Sequence, residues 1–153
     1  MKHFAAIALV LLWCWPWLPA QEPVALANDD GLRFLVVDVQ VDSGAELLAA
    51  YQLELAATNG AVKIVGIEGG EHMAFMQPPY YDPAAMQQDH VILAAFNTAV
   101  AGQLPSGTVR VASIHLMVTG NVNPSFSARI ETAATFDGRQ IPVQISIKER
   151  NGK

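Results

Sequence analysis

The stretch that decides the fold is RFLVVDVQVDSG, which occupies residues 33–44. Every second position from residue 35 to residue 41 is Leu or Val, and the positions between them include two polar residues. Successive side chains of a β-strand point to opposite faces, so this period of two predicts a strand with one buried face. The Ser43–Gly44 pair that follows is typical of a strand end, because both residues favour turns.

Six further segments carry strand patterns, and most of them alternate in the same way. They are residues 49–60, 61–70, 91–96, 108–120, 126–136 and 141–149. The wider segment 84–100 also has helical propensities, but a buried strand at 91–96 is favoured because every neighbouring segment is β. Turn residues recur about every 8–12 positions, which predicts an all-β fold, namely an antiparallel two-sheet sandwich, a jelly roll of about seven to nine strands.

Two dipeptides, Asn59–Gly60 and Asp137–Gly138, mark tight turns between strand patterns. Asn, Asp and Gly tolerate positive φ better than other residues, and a two-residue hairpin turn requires such φ values. Each dipeptide therefore predicts a β-hairpin between the strands on either side of it.

The first twenty residues have the layout of a secretory signal peptide. One basic residue, Lys2, precedes an unbroken apolar run at residues 4–13, and prolines and the small Ala20 follow. This layout predicts export with cleavage after Ala20, and therefore a periplasmic or extracellular protein. The run is short for a membrane span, which needs about 20 residues. A retained anchor stays an alternative, as does acylation at Cys14 despite the bulky Trp13 before it.

The predicted organisation is a signal peptide at 1–20, a flexible lead-in at 21–32, the sandwich at 33–148 and a polar tail at 149–153. Cleavage removes the one cysteine, so the mature chain has no disulfide framework and no thiolate site. It leaves eight basic against fourteen acidic residues, a net charge of −6, which argues against a nucleic-acid partner. No second long apolar run follows, so we expect no stable membrane span after processing.

The order of these segments resembles the cohesin domain, in the superfamily of carbohydrate-binding jelly rolls. The resemblance rests on a first strand that ends in Ser43–Gly44, AAYQLELA, VKIVGIEGG, an aromatic-bearing loop, VILAAF, a Leu-Pro-Ser-Gly turn, VRVASIHLMV and the closing TFDGRQIPVQI. It runs from Arg33 to Ile147, over nearly all of the mature chain. It implies a nine-stranded jelly roll that recognises a protein partner, dockerin-like or another exported protein, or a polysaccharide, without catalysis.

The candidate binding loop is GGEHMAFMQPPYYD, residues 69–82, which lies between two strand patterns. Phe75, Tyr80 and Tyr81 supply aromatic rings, which stack on the apolar faces of sugars or fill the core of a protein interface. Pro78–Pro79 stiffens the loop and lowers the entropy cost of presenting those rings. The alternative is that the rings close one end of the sandwich and bind nothing.

His72 and Asp82 complete the candidate binding set, because they add polar groups to the same loop. No spacing typical of a zinc site, such as HxH or HExxH, is present, so we expect no transition metal and no cofactor. Calcium stays open, with oxygen ligands at Asp82, Asp89 or the Asp29–Asp30 pair, although no Asp-rich loop signature occurs.

Catalysis is not expected from the sequence. The components of a nucleophilic system are present but scattered, at Ser113, His115, Ser125 and Asp137, and no GxSxG elbow occurs. No pattern places two carboxylates across a cleft, as glycoside hydrolysis requires. The sequence therefore favours an exported non-catalytic module that binds a protein. A carbohydrate-binding module acting through the loop at 75–81 is the first alternative, and a small exported hydrolase or metalloprotein is the second.

Overall fold

The structure is a computed structural model that describes residues 31–98 and 101–150. The predicted signal peptide and most of the predicted lead-in lie outside the described residues, as do residues 151–153. Within the described ranges, no helix is both long and apolar enough to cross a bilayer.

Seven β-strands make up the described part of the chain. They are β1 Arg33–Asp42, β2 Ala50–Ala57, β3 Ala61–Gly69, β4 His90–Phe96, β5 Thr108–Thr119, β6 Phe126–Ala134 and β7 Gln144–Arg150. Three single turns of 3-10 helix, Met73–Phe75, Pro83–Ala85 and Ala101–Gln103, are the helical elements of these ranges. The all-β prediction is confirmed, and the ambiguous segment does form a strand at β4.

The strands form two antiparallel sheets that face each other. One sheet has four strands in the order β3-β5-β1-β7, and the other has three in the order β4-β2-β6. Odd-numbered strands thus belong to the four-stranded sheet and even-numbered strands to the three-stranded sheet. Every connection between successive strands of the described chain therefore crosses from one sheet to the other, and each strand pairs with strands remote in sequence.

This topology corrects the two predicted hairpins. Gly60 does adopt a positive φ of 78° in the turn after Asn59, but β2 and β3 lie in different sheets. At the second turn, Ala134 pairs with Gln140 in a single antiparallel bridge, after which the chain crosses to the four-stranded sheet as β7. Turn residues determine local backbone angles and leave open which strand the chain pairs with next. The predicted hairpin at Asn59–Gly60 is therefore wrong, and the one at Asp137–Gly138 is limited to the short bridge between Ala134 and Gln140.

The core lies between the two sheets and consists of the inward side chains that the alternation predicts. Its fully buried large side chains are Leu48, Leu53, Ile64, Leu93, Ile114, Leu116, Val37, Val39, Val41, Val91, Val111 and Val118. All seven strands contribute, since the half-buried Ile145 and Ile147 of β7 and Ile130 of β6 pack against the same cluster. The two apolar layers therefore seal against each other along the full length of the sandwich.

A polar network on the outer face of the four-stranded sheet joins three strands. The Ser113 hydroxyl of β5 donates to Asp38 Oδ1 of β1 at 2.7 Å, and it accepts from Arg110 Nη1 at 2.7 Å and Arg150 Nη2 at 2.9 Å. Arg150 also pairs with Asp38 at 2.5 Å. Glu149 and Arg150, predicted to belong to the tail, are part of β7, since they pair with Val37 and Val36 of β1.

This network makes part of the stability pH-dependent. Burial raises the pKa of Asp38, but hydrogen bonds from Arg150 and Ser113 and the charges of Arg150 and Arg110 outweigh it, so the pKa lies below its ordinary 3.8. A lowered folded-state pKa contributes stability that is present above the unfolded pKa and lost as pH falls through the folded value.

We expect Asp38→Asn to lower the free energy of unfolding at pH 7 by about 1–3 kcal/mol, because the ion pair is lost and Arg150 is left without its partner. The difference from the wild type should shrink as the pH falls below about 4, where the wild-type carboxyl gains its proton. Urea unfolding at several pH values measures both effects, and a difference that stays constant down to pH 3 would contradict the role assigned to the carboxylate.

Candidate binding surface

The candidate loop begins where β3 passes very close to other backbone. A Cβ added at Gly69 would lie 2.1 Å from the Met76 carbonyl oxygen, and one added at Gly70 would lie 2.2 Å from the Arg110 carbonyl oxygen. Real Cβ atoms do not approach that closely, so both positions require glycine. The Gly70 amide donates to the Phe75 carbonyl at 2.7 Å and the Glu71 amide donates to the Arg110 carbonyl at 3.0 Å, which fixes the start of the loop.

Phe75, a predicted contact residue, lies in the core. Its side chain is 3% exposed and meets the Tyr51 ring edge-on, with centroids 5.3 Å apart and an angle of 67° between the ring planes. The Tyr51 hydroxyl donates to the Val111 carbonyl at 3.2 Å, and burial raises its pKa. Phe75 therefore anchors the loop in the core and offers no surface to a ligand. For this ring, the structure agrees with the alternative in which the aromatic side chains close one end of the sandwich.

The two polar candidates cap the loop's short helical turns. His72 Nδ1 accepts from the Ala74 amide at 3.2 Å, and Asp82 Oδ1 accepts from the Ala84 amide at 2.9 Å. Each side chain stabilises the start of its own turn, because it satisfies an amide that has no partner within the turn. His72 and Asp82 therefore each have a structural role in the loop, as Phe75 does.

Tyr80 forms a one-residue extension of the three-stranded sheet. Its amide donates to the Ala94 carbonyl at 2.7 Å and its carbonyl accepts from the Ala94 amide at 2.9 Å. This antiparallel bridge lies on the free edge of β4 and fixes the backbone, while the Tyr80 side chain remains 69% exposed. The neighbouring Tyr81 is half-buried and packs against the core.

Phe96, which the sequence analysis did not select, is the partner of Tyr80. The two rings are nearly parallel, with an angle of 11° between their planes and centroids 6.0 Å apart, and the Phe96 side chain is 64% exposed. The exposure of Phe96 was not predicted, because residues 91–96 were interpreted as one buried apolar run. The alternation contained the signal, since buried Val91 and Leu93 place the even-numbered positions of β4 on the outer face.

We define the aromatic patch as Tyr80, Phe96, Ile92 and Met73, which are all exposed. Met73, Tyr80 and Phe96 line one shallow cleft of about 370 Å³, and Ile92 lies one outward position beyond Ala94 on β4. The Asn97 side-chain amide donates to the Ala74 carbonyl at 2.9 Å, which ties the turn that carries Met73 to the end of β4. Backbone and side-chain hydrogen bonds therefore hold the patch in place without a ligand.

Charged side chains border the patch on the same outer face. Glu54 of β2 is the cross-strand neighbour of Ile92 on one side and of Arg129 of β6 on the other. Arg129 Nη2 lies 2.9 Å from Glu54 and 2.5 Å from Glu131, and hydrogen bonding to Glu54 together with the charge of Glu131 raises its pKa. One guanidinium thus serves two carboxylates, which leaves one negative charge uncompensated beside the apolar surface.

The residues named for nucleophilic catalysis do not form a catalytic arrangement. The Ser113 hydroxyl is fully buried and donates a hydrogen bond to Asp38, while His115 Nε2 lies 3.1 Å from Glu68. Asp137 accepts from the Thr135 hydroxyl in the turn after β6, and the Ser125 amide donates to Asn59 at the other end of the sandwich. Among residues 31–98 and 101–150, no three His, Cys, Asp or Glu side chains are grouped to hold a metal.

Comparison with known proteins supports the architecture. A solved structure with a similar fold is the non-cellulosomal cohesin from the hyperthermophilic archaeon Archaeoglobus fulgidus, with a TM-score of 0.54 and 14% sequence identity over 71% of this chain and 72% of that chain. No family profile matches the sequence, and no curated protein matches it. The fold is cohesin-like, and the described residues contain seven of the nine strands that the resemblance implied.

Proposed function

We propose that this chain is an exported, non-catalytic module that binds another protein through the aromatic patch. The observation that carries the proposal is the exposed Tyr80–Phe96 ring pair, held on the sheet edge by the backbone bridge to Ala94. Each ring that a partner covers removes apolar surface from water, which contributes about 2–3 kcal/mol. Because the backbone that carries the rings is already ordered, little conformational entropy is lost on binding.

Two further features support a protein as the ligand. Met73 and Ile92 extend the patch with flexible and aliphatic surface, which suits a protein interface better than the flat face of a sugar. The cohesin-like fold supports the same class of function, since the family resemblance implies recognition without catalysis. The proposed export rests on the leader at residues 1–20, whose layout is that of a signal peptide.

The test compares two matched double variants of the mature protein, which begins at Gln21. Tyr80→Ala/Phe96→Ala removes the ring pair, while Phe34→Ala/Val122→Ala removes exposed apolar side chains elsewhere, Phe34 being 71% exposed. Each protein is immobilised and exposed to lysate and culture medium of the source organism. We expect the patch variant to retain at least about tenfold less of the captured partner, because central interface aromatics contribute about 2 kcal/mol or more. Equal recovery by both variants would refute the proposed surface.

A polysaccharide is the second candidate ligand, and the two exposed, nearly parallel rings are the observation that favours it. The three tryptophans of the chain, which stack best on sugars, lie in the leader, so the protein reading remains preferred. Affinity electrophoresis in gels that contain cellulose, xylan or chitin derivatives separates the two ligand classes. Retardation that disappears in the Tyr80→Ala/Phe96→Ala variant would establish the polysaccharide reading in place of the protein one.

A further inference from the structure

The aromatic patch has acidic groups on both sides of Ile92. Glu54 is the cross-strand neighbour of Ile92 on β2, so their Cα atoms lie about 5 Å apart. On the opposite side, Asp82 lines one cleft with Ile92 and His90. Within the described part of the chain, no lysine or arginine pairs with Asp82, and Asp89 contacts only His90 among its charged neighbours.

The charges around the patch therefore do not balance. Glu54 and Asp82 flank Ile92, and Arg129, the cation that pairs with Glu54, is shared with a second carboxylate, Glu131. The ring pair lies at the Phe96 end of β4, and Glu54 and Asp82 lie beside Ile92, four residues closer to the start of the strand. Phe96 and Ile92 are separated by four residues, or about 13 Å along the strand, so the surface runs from apolar to acidic.

We infer that the partner presents a cationic amphipathic segment, in which apolar side chains cover Tyr80 and Phe96 and Lys or Arg side chains meet the Glu54–Asp82 end of the patch. This inference rests on the proposed function and specifies the partner's chemistry. An acidic segment would bring like charges together. A cationic segment instead neutralises the excess negative charge of the two carboxylates that share Arg129, and it forms an ion pair with Asp82. A helix of about nine residues spans the distance from Phe96 to the acidic groups beside Ile92.

The experiment selects binders from a phage-displayed library of random peptides of about 18 residues, long enough for about 27 Å of helix. The target is the mature wild-type domain, and selected peptides are then synthesised and titrated. Glu54→Gln/Asp82→Asn neutralises the acidic end, and it preserves the fold because Asn caps a helical turn as well as Asp does. Glu68→Gln/Glu149→Gln makes the same change in net charge on the other sheet and serves as the control.

We expect the selected peptides to combine apolar residues with an excess of Lys and Arg. Their affinity should fall by at least about tenfold on Tyr80→Ala/Phe96→Ala and by about five- to tenfold on Glu54→Gln/Asp82→Asn, and the control should be unchanged. Peptides that need the rings but are neutral or acidic, or that ignore Glu54→Gln/Asp82→Asn, would overturn this inference and leave the proposed function standing. Peptides indifferent to both rings, or no enrichment at all, would overturn the two together.

Discussion

Replacing Phe75 with alanine is expected to lower the free energy of unfolding by about 3–5 kcal/mol. The side chain is 3% exposed and contacts Tyr51 edge-on inside the core, so truncation removes a large buried ring and leaves a cavity beside it. The loop that carries the aromatic patch should loosen as well, because Phe75 fixes its first turn. Urea unfolding, monitored by far-UV circular dichroism, measures the loss of stability.

The matched control for Phe75→Ala is Tyr80→Ala. Tyr80 is largely exposed, so its truncation should change stability by less than about 1 kcal/mol, while it weakens partner capture. The two residues are five positions apart in one loop, so comparing the two variants distinguishes a loss of stability from a loss of binding. If Phe75→Ala left stability unchanged and abolished capture, the ring would be a contact residue and its assignment to the core would be wrong.

Replacing Gly70 with alanine is expected to destabilise the protein by about 3 kcal/mol, at the upper end of the cost of overpacking. The new Cβ would lie 2.2 Å from the Arg110 carbonyl oxygen and 2.9 Å from Val111 Cα, and backbone of a central strand can relieve such overlap only by shifting. Gly69→Ala meets the Met76 carbonyl oxygen in the same way and should behave alike. Thermal and urea unfolding of the purified variants measure the effect.

Gly102→Ala is the control for the glycine variants. A Cβ at Gly102 meets nothing within 4 Å, so this change should be neutral or slightly stabilising, because alanine reduces the freedom of the unfolded chain. Equal stability of Gly70→Ala and Gly102→Ala would show that the loop does not approach β5 as closely as described. It would also remove the physical reason for the Gly-Gly pair at the start of the loop.

The strands were predictable because burial on one face imposes a period of two on the sequence. The pattern at residues 33–44 led directly to β1, and β4 followed from its apolar run and its β neighbours. Pairing was not predictable in the same way, since each strand pairs with strands far away in sequence. For that reason β2 does not pair with β3 across the Asn59–Gly60 turn, and pairing across the Asp137–Gly138 turn stops at the bridge between Ala134 and Gln140.

The location of the candidate surface was predictable from the sequence, but the residues that form it were not. The aromatic and proline content of residues 69–82 pointed to the loop, and Tyr80 is part of the patch. Phe96 joins it only because Tyr80 pairs with Ala94 across the sheet edge, a contact that no local pattern encodes. Similarly, the core position of Phe75 depends on its packing against Tyr51, which lies in β2, remote in sequence from the loop.

Hydrogen–deuterium exchange of the mature domain, with and without its captured partner, tests the binding surface most directly. We expect slower exchange on binding in the segments around Tyr80 and Phe96, at residues 80–82 and 92–97, and no change at residues 33–36 of the opposite sheet. Protection confined to the outer face of the four-stranded sheet, with the patch unaffected, would contradict this expectation.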